Sequence, residues 1–456
     1  MHVSKYNLIF DIEGRKEKIL LNPLSRSMDV FDGEDTDLIE LLQGDSIIPS
    51  GEAEDIEYLV NRGYLFDSSE DEDKMLQDLI ERDDREEYPC DFLLYPTFYC
   101  NLRCVYCFQN ENSPPVTYAM ISKDYVDKVF EAIEIISQKR KIESRPLLYL
   151  FGGEPLLQGK RARDIIQYIL SLAYQKDFRT GIITNGSNLG YYAEILKRFK
   201  VEFVQVTMDG PKHIHDQRRK YASGRGTFDD IMHGIASILD SDVKILLRVN
   251  LDSQNIDSLP EFAEFIIEAG WYTDNVVVFV GPYRDLLSRS YQYQLPEHVM
   301  LEKIFSFYQQ DPQTKIIKLV GWPGVDYILY FLHTRRLPSP RVSYCISNYG
   351  RFGFDAEGHV YACGTAAGKS KYAIGTFYPK LKLDQDKVHI WRRRRFTDIP
   401  ECLHCKAALL CGGGCLLQSL LKYQGKRPFC PEVMENIKVV LNYYFDEIVK
   451  GDSNVC

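Results

Sequence analysis

Ten of the chain's twelve cysteines fall into groups whose spacing suits metal chemistry. Cys100, Cys104 and Cys107 occupy eight positions within YPTFYCNLRCVYCFQN, residues 95–110. Cys345 and Cys363 come next, followed by Cys402, Cys405, Cys411, Cys415 and Cys430 around the loop CGGGC. Clustered thiols in a chain without a secretion signal read as metal ligands or catalytic groups rather than disulfides. For the run from Cys402 to Cys415, zinc and iron–sulfur are both open, since thiolates suit either. The N-terminal trio shifts that balance. A structural zinc site closes with four protein ligands, and neither a His nor a fourth Cys lies near Cys107. A [4Fe–4S] cluster on three thiolates keeps one iron free for another molecule, so this trio points to an open cluster that binds a substrate or cofactor. Cys90 and Cys456 stand apart and read as ordinary thiols.

The elements that must hold the trio follow from hydrophobic patterning. Apolar strand-like runs recur at 93–99, 147–153, 181–186, 203–210, 245–250 and 276–281, with amphipathic helical stretches between most of them. Strand–helix alternation over six units predicts a parallel sheet buried on both faces, as a barrel or an open doubly wound sheet. Gly152-Gly153-Glu154, Thr184-Asn185-Gly186, Asp209-Gly210 and Arg248 with Asn250 all fall at C-terminal strand ends, and the cysteine trio follows the first strand in the same way. That edge is where parallel α/β proteins bind ligands. Turn-making explains the glycines but not the polar groups that share the rim.

Taken together, these residues resemble the radical S-adenosylmethionine (SAM) superfamily. Cys-x3-Cys-x2-Cys with an aromatic at Tyr106 is similar to its cluster motif, with Cys100, Cys104 and Cys107 as the ligands. Gly152, Gly153 and Glu154 are similar to the GGE motif that contacts the SAM amine. Thr184-Asn185-Gly186 is similar to the ribose-side motif, and Arg248 lies on the strand that places a group near the SAM carboxylate. DGPKHIHDQRR, with Asp209, His215, Asp216 and Arg218, resembles a stretch of the peptide- and protein-modifying branch. Cys345-x12-Gly358-x4-Cys363, Cys402-x2-Cys405-x5-Cys411-x3-Cys415 and Cys430 resemble the seven-cysteine SPASM pattern. The resemblance covers roughly residues 90–435.

It implies a partial (β/α)6 TIM-like barrel with a C-terminal SPASM domain, SAM as cofactor, and three [4Fe–4S] clusters, one SAM-binding and two auxiliary. Cys402, Cys405, Cys411 and Cys430 would fully ligate one auxiliary cluster. Cys345, Cys363 and Cys415 would hold the other, one ligand short, to be completed by a substrate thiolate or by Cys90 or Cys456. Residues 1–66, with β-like runs followed by helical ones, match the position of a winged-helix-like precursor-recognition domain that adds a leader peptide as a strand. The expected division is 1–88 recognition domain with acidic linker, 89–305 barrel, 306–340 bridging segment without a readable motif, and 341–456 SPASM domain.

Composition sets outer limits. At 456 residues, two or three domains are expected. The net charge is −10, and residues 67–87 alone hold eleven acidic and three basic side chains. A solvated linker or exposed helix accounts for that run, which would repel phosphate and so argues against nucleic acid. No apolar run reaches membrane-span length and no signal peptide is present, so a cytoplasmic protein is expected. The expected function is a peptide maturase that reductively cleaves SAM, abstracts hydrogen from a ribosomally made precursor and forms a Cys thioether. An electron donor such as flavodoxin or ferredoxin would be its partner. Epimerisation, carbon–carbon or carbon–oxygen crosslinking and sulfatase-type formylglycine formation are the alternatives within the class. A non-catalytic zinc or iron–sulfur peptide-binding scaffold is the alternative outside it.

Overall fold

The computed structural model describes residues 1–34, 42, 53–85, 90–109, 120–142, 144–286, 291–392 and 394–450. The helix expected near 36–44 and Cys456 fall outside them, apart from Leu42, which is helical and buried.

The N-terminal module opens with β1 (His2–Val3) and an antiparallel meander of β2 (Leu8–Asp11), β3 (Glu17–Asn22) and β4 (Ser27–Asp32). A helix, Ala53–Asn61, and β5 (Leu65–Phe66), paired with β1, complete it. This is the strand-then-helix order read from the sequence.

Six parallel strands then form the expected sheet: β6 (Asp91–Tyr95), β7 (Leu147–Leu150), β8 (Arg179–Thr184), β9 (Phe203–Thr207), β10 (Lys244–Leu251) and β11 (Val276–Pro282). They pair in sequence order. Interior residues such as Leu94, Leu150, Ile182, Val206, Leu247 and Val280 are buried. Helices such as Lys123–Lys139, Lys160–Gln175 and Leu259–Glu268 bury their apolar stripes against the sheet. Burial alternates along β7, β9 and β10: one face is buried under these helices, and residues of the other, such as Tyr149, Gln205 and Arg248, are half-buried.

Three features go beyond what the sequence patterns placed. The segment 306–340 is structured: the helix Glu297–Gln310 crosses the expected boundary at 305, β12 (Ile317–Leu319) joins β11 in parallel, and a helix spans Val325–Thr334. Three residues are too few for strand periodicity to register. Secondly, the C-terminal region does not form its own sheet. β13 (Arg351–Asp355) pairs in parallel with β6, and β14 (His359–Tyr361), β15 (Gly375–Thr376) and β16 (Lys382–Leu383) continue antiparallel, giving an eleven-stranded sheet. The barrel stays open, and its first-strand edge is covered by the cysteine-rich region.

Thirdly, of the two forms expected for the acidic run, it takes the helix and not the linker. Ser69–Arg85 is a helix whose Leu76, Leu79 and Ile80 pack with Tyr6, Val342, Phe396, Ile399 and Cys402. Its Glu72 is buried and accepts from Ser4 Oγ at 2.5 Å and Lys5 N at 3.1 Å. The helix has an apolar stripe among its charges, and that stripe clamps the N-terminal module to the cysteine-rich region.

Candidate functional site

Two glycines bring the first two strand-end loops together. Gly153 N donates to Thr97 O at 3.1 Å and Glu154 N to Tyr99 O at 2.9 Å. A Cβ on Gly153 would lie 2.3 Å from both Phe98 O and Tyr99 O, and one on Gly152 2.4 Å from Thr97 O. Gly152 also has φ 143. Only glycine permits this backbone contact, which seats the β7 loop on the segment leading into Cys100. Glu154 is buried and joins the next strand end: its carboxylate accepts from Leu156 N at 2.8 Å, Thr184 Oγ1 at 2.6 Å and Asn185 N at 2.6 Å. Burial raises its pKa, and these three donors oppose the rise. Asn185 Nδ2 reaches Cys100 Sγ at 3.8 Å and Asn101 Oδ1 at 2.9 Å. The GGE and TNG residues and the first thiol thus form one assembly.

The far side of the cysteine loop is tied to the segment after β9. Arg103 N donates to Lys220 O at 2.7 Å and Val105 N to Arg218 O at 3.0 Å, and Leu102 bridges Tyr221. Tyr106 is buried, with a hydroxyl that donates to Asp209 Oδ2 at 2.6 Å and accepts from Arg219 Nη1 at 2.6 Å and Asn250 Nδ2 at 3.1 Å. Its side chain anchors the loop to the ends of β9 and β10 and to the end of the helix Lys212–Arg218.

The stretch Asp209–Arg219 is mostly scaffold. His215 Nδ1 accepts from Asp209 N at 3.2 Å, and its Nε2 contacts Thr227 Oγ1 at 3.0 Å. Asp216 accepts from Thr227 N at 2.8 Å and Phe228 N at 2.9 Å. Arg218 pairs bidentately with Asp252, at 2.8 and 2.9 Å, and with Asp209 at 3.3 Å, all three buried. Counted as HD-x-x-R, the motif ends on Arg219 rather than Arg218, so the sequence reading missed the arginine nearer the thiols. Arg219 bonds Tyr106, pulls the Cys104 thiol toward a lower pKa, and has a buried Nε without a hydrogen-bond partner. Asp252, Asn255, Tyr283 and Tyr291 were also missed. Their only signal was position beyond the ends of β10 and β11.

Burial holds the His215 imidazole at about 4, against about 6.5 for an exposed histidine. As pH falls through about 6.5 the unfolded chain takes up a proton on this ring; the folded chain does so only near 4. Stability is therefore full above this window and falls across it, by roughly 3 kcal/mol in total. Melting curves from pH 7.5 to 4.5 should show the fall, and His215→Gln should remove that part of it.

Arg248 is a half-buried cation on β10. Its Nε donates to Asn250 Oδ1 at 2.9 Å, and its guanidinium lies over Gly281, where a Cβ would come within 3.1 Å of Nη2. Desolvation lowers its pKa, and among the described residues no carboxylate bonds it. A half-buried cation over a glycine suits the carboxylate of a bound molecule.

The remaining cysteines gather in two sets. Cys363 has Cys345 and Cys415 as its thiol neighbours, whereas Cys411 has Cys430, Cys402 and Cys405. Burial and these neighbours push Cys363 and Cys411 up to about 12 and Cys402 to about 11. Cys100 rises to about 12 and Cys104 to about 11, mainly by burial. Among the described residues no three cysteine sulfurs lie within 4.8 Å of one another. Cys90 Sγ accepts from Arg140 Nη1 at 3.3 Å, and Arg392 is a charged neighbour of both Cys90 and Cys345. Asp355, Glu357 and His359 converge as well, but Asp355 is occupied by the hairpin, accepting from Glu357 N, His359 N and Tyr361.

With this geometry in place, the relatives can be stated. Residues 94–266 match the model of the Radical SAM superfamily, and the sheet and its strand-end rim are a radical SAM domain. A cysteine-type anaerobic sulfatase-maturating enzyme of Clostridium perfringens is 22% identical over 362 residues, 76% of this chain and 90% of that protein. Other relatives match over less of their length: Fe-coproporphyrin III synthase of Methanosarcina barkeri is 25% identical over 170 residues, 39% of its length. Among solved structures, anSMEcpe with bound AdoMet superposes with TM-score 0.63 at 20% identity, over 80% of this chain and all of that one. Streptococcus suis SuiB bound to precursor peptide SuiA superposes with TM-score 0.53 at 16% identity, over 95% of this chain and 99% of that one. The chain therefore shares the fold of these two proteins, and the SuiB likeness extends over nearly the whole chain. No helix among the described residues is long and apolar enough to cross a membrane.

Proposed function

We propose that this chain is a radical SAM peptide maturase that joins a cysteine sulfur of a ribosomally made precursor to a carbon of the same peptide. The observation that carries the peptide substrate is the likeness over 95% of the chain, N-terminal module included, to a protein solved with its precursor peptide. Cys100, Cys104 and Cys107 would hold a [4Fe–4S] cluster; Glu154, Thr184, Asn185 and Arg248 would hold SAM. Together these groups supply one-electron cleavage of SAM and hydrogen abstraction from the substrate. The protein's part is to fix the loops through Gly152, Gly153 and Tyr106, to offer the uncompensated Arg248 cation to the SAM carboxylate, and to exclude water.

Cys402, Cys405, Cys411 and Cys430 would hold one auxiliary cluster. Cys345, Cys363 and Cys415 would hold the other. This set is one ligand short, and a substrate thiolate would complete it. The leader would bind the N-terminal module as an added strand. One specific observation favours a second reading, oxidation of a substrate cysteine to formylglycine: the 90% coverage of the sulfatase-maturating enzyme.

Co-expression with cysteine-containing precursors separates the two by mass spectrometry. A thioether loses two hydrogens and its free thiol but retains sulfur; formylglycine loses the sulfur. Unchanged peptide mass with every precursor would contradict both.

A further inference from the structure

The set Cys402, Cys405, Cys411 and Cys430 reaches the surface, where Cys405 and Cys430 are exposed. The surface there has the opposite sign to the chain as a whole. Between Glu401 and Cys430 there are four basic side chains, Lys406, Lys422, Lys426 and Arg427, and one acidic, Glu401: four minus one, or +3, in a chain of net −10. All four cations are exposed. Arg427 Nε donates to Glu401 at 3.1 Å, which neutralises that carboxylate. Lys406, Lys422 and Lys426 form no ion pair among the described residues.

These groups are gathered around the exposed thiols. Lys406 follows Cys405 directly. Lys422 Nζ lies 4.8 Å from the ring centre of Phe429, the residue before Cys430, and Arg427 is a charged neighbour of Cys430. Arg427 also lies 5.7 Å from the ring centre of Tyr423. Leu403 and Tyr423 are 45% and 38% exposed. Exposed apolar side chains within a charged rim are the anatomy of a protein interface. The acidic helix Ser69–Arg85 meets this region through the Asp84–Arg395 ion pair, so the face has a boundary of sign on one side.

We propose that this basic face docks a small acidic one-electron carrier protein, whose electron enters through the Cys405 and Cys430 edge. The proposal rests on reading these four thiols as an iron–sulfur ligand set. The step balances simply: the reduced carrier loses one electron, the bound group gains it, and no bond or proton changes hands. An acidic carrier is repelled by the negative body and steered to the positive face, so the association rate depends on charge and salt.

The test uses the full-length, anaerobically reconstituted protein and the variant Lys406→Glu, Lys422→Glu, Lys426→Glu. Iron content is measured first; absence of iron–sulfur absorbance in the unmodified protein would remove the ligand reading itself. With equal iron in both proteins, reduction is followed by stopped flow using reduced flavodoxin, and separately using an uncharged photoreductant. Binding of flavodoxin is measured in parallel by anisotropy. The variant should lose about tenfold or more in flavodoxin reduction rate and in affinity at low salt, with photoreduction unchanged. An unchanged flavodoxin rate, or an equal loss with both reductants, would overturn the docking surface while leaving the ligand reading intact.

Discussion

Replacing Cys104 with alanine should abolish SAM cleavage while leaving the auxiliary sites loaded. Cys104 is the middle of the three thiols on the β6 loop, with Arg219 its nearest opposing charge. Two thiolates hold a cubane poorly, so reconstituted iron should fall from about twelve to about eight per chain. The fold should survive, because the loop is held independently by Arg103, Val105 and Tyr106. The checks are iron analysis, electron paramagnetic resonance of the reduced protein and chromatography for 5′-deoxyadenosine. Undiminished SAM turnover would remove the central site from the account.

Replacing Arg218 with methionine has the largest expected effect on stability. Its guanidinium is the shared partner of Asp209 and Asp252, and all three side chains are at most 3% exposed. Its removal leaves two buried carboxylates near each other without their cation, a loss of about 3–5 kcal/mol. For a chain of this size the melting midpoint should fall by about 3–5 °C. Arg218→Lys restores charge without the two-pronged geometry and should recover only part of the loss. A methionine variant that melts within about 2 °C of the parent would show that Asp252 is held by Tyr291, which donates to it at 2.8 Å, rather than by Arg218.

The sheet was legible because apolar strand runs recur with amphipathic helical stretches between them, although only one face of strands such as β7 and β10 is fully buried. The rim was legible because glycines and polar residues end those strands together. What escaped the sequence had weaker or longer-range causes. β12 is three residues long. The pairing of β13 with β6 joins Arg351 to Asp91, 260 positions apart, and no local pattern encodes it. The acidic helix was masked by its own charge, since net charge does not reveal a stripe of Leu76, Leu79 and Ile80. The Tyr106 hydroxyl ties Asp209, Arg219 and Asn250 together, a role that depends on two strand ends and the end of a helix.

Anaerobic reconstitution of the unmodified chain tests the central claim most directly. The account predicts a brown protein with about twelve irons per chain that converts SAM to methionine and 5′-deoxyadenosine on reduction. A colourless protein that takes up zinc and leaves SAM intact would contradict it.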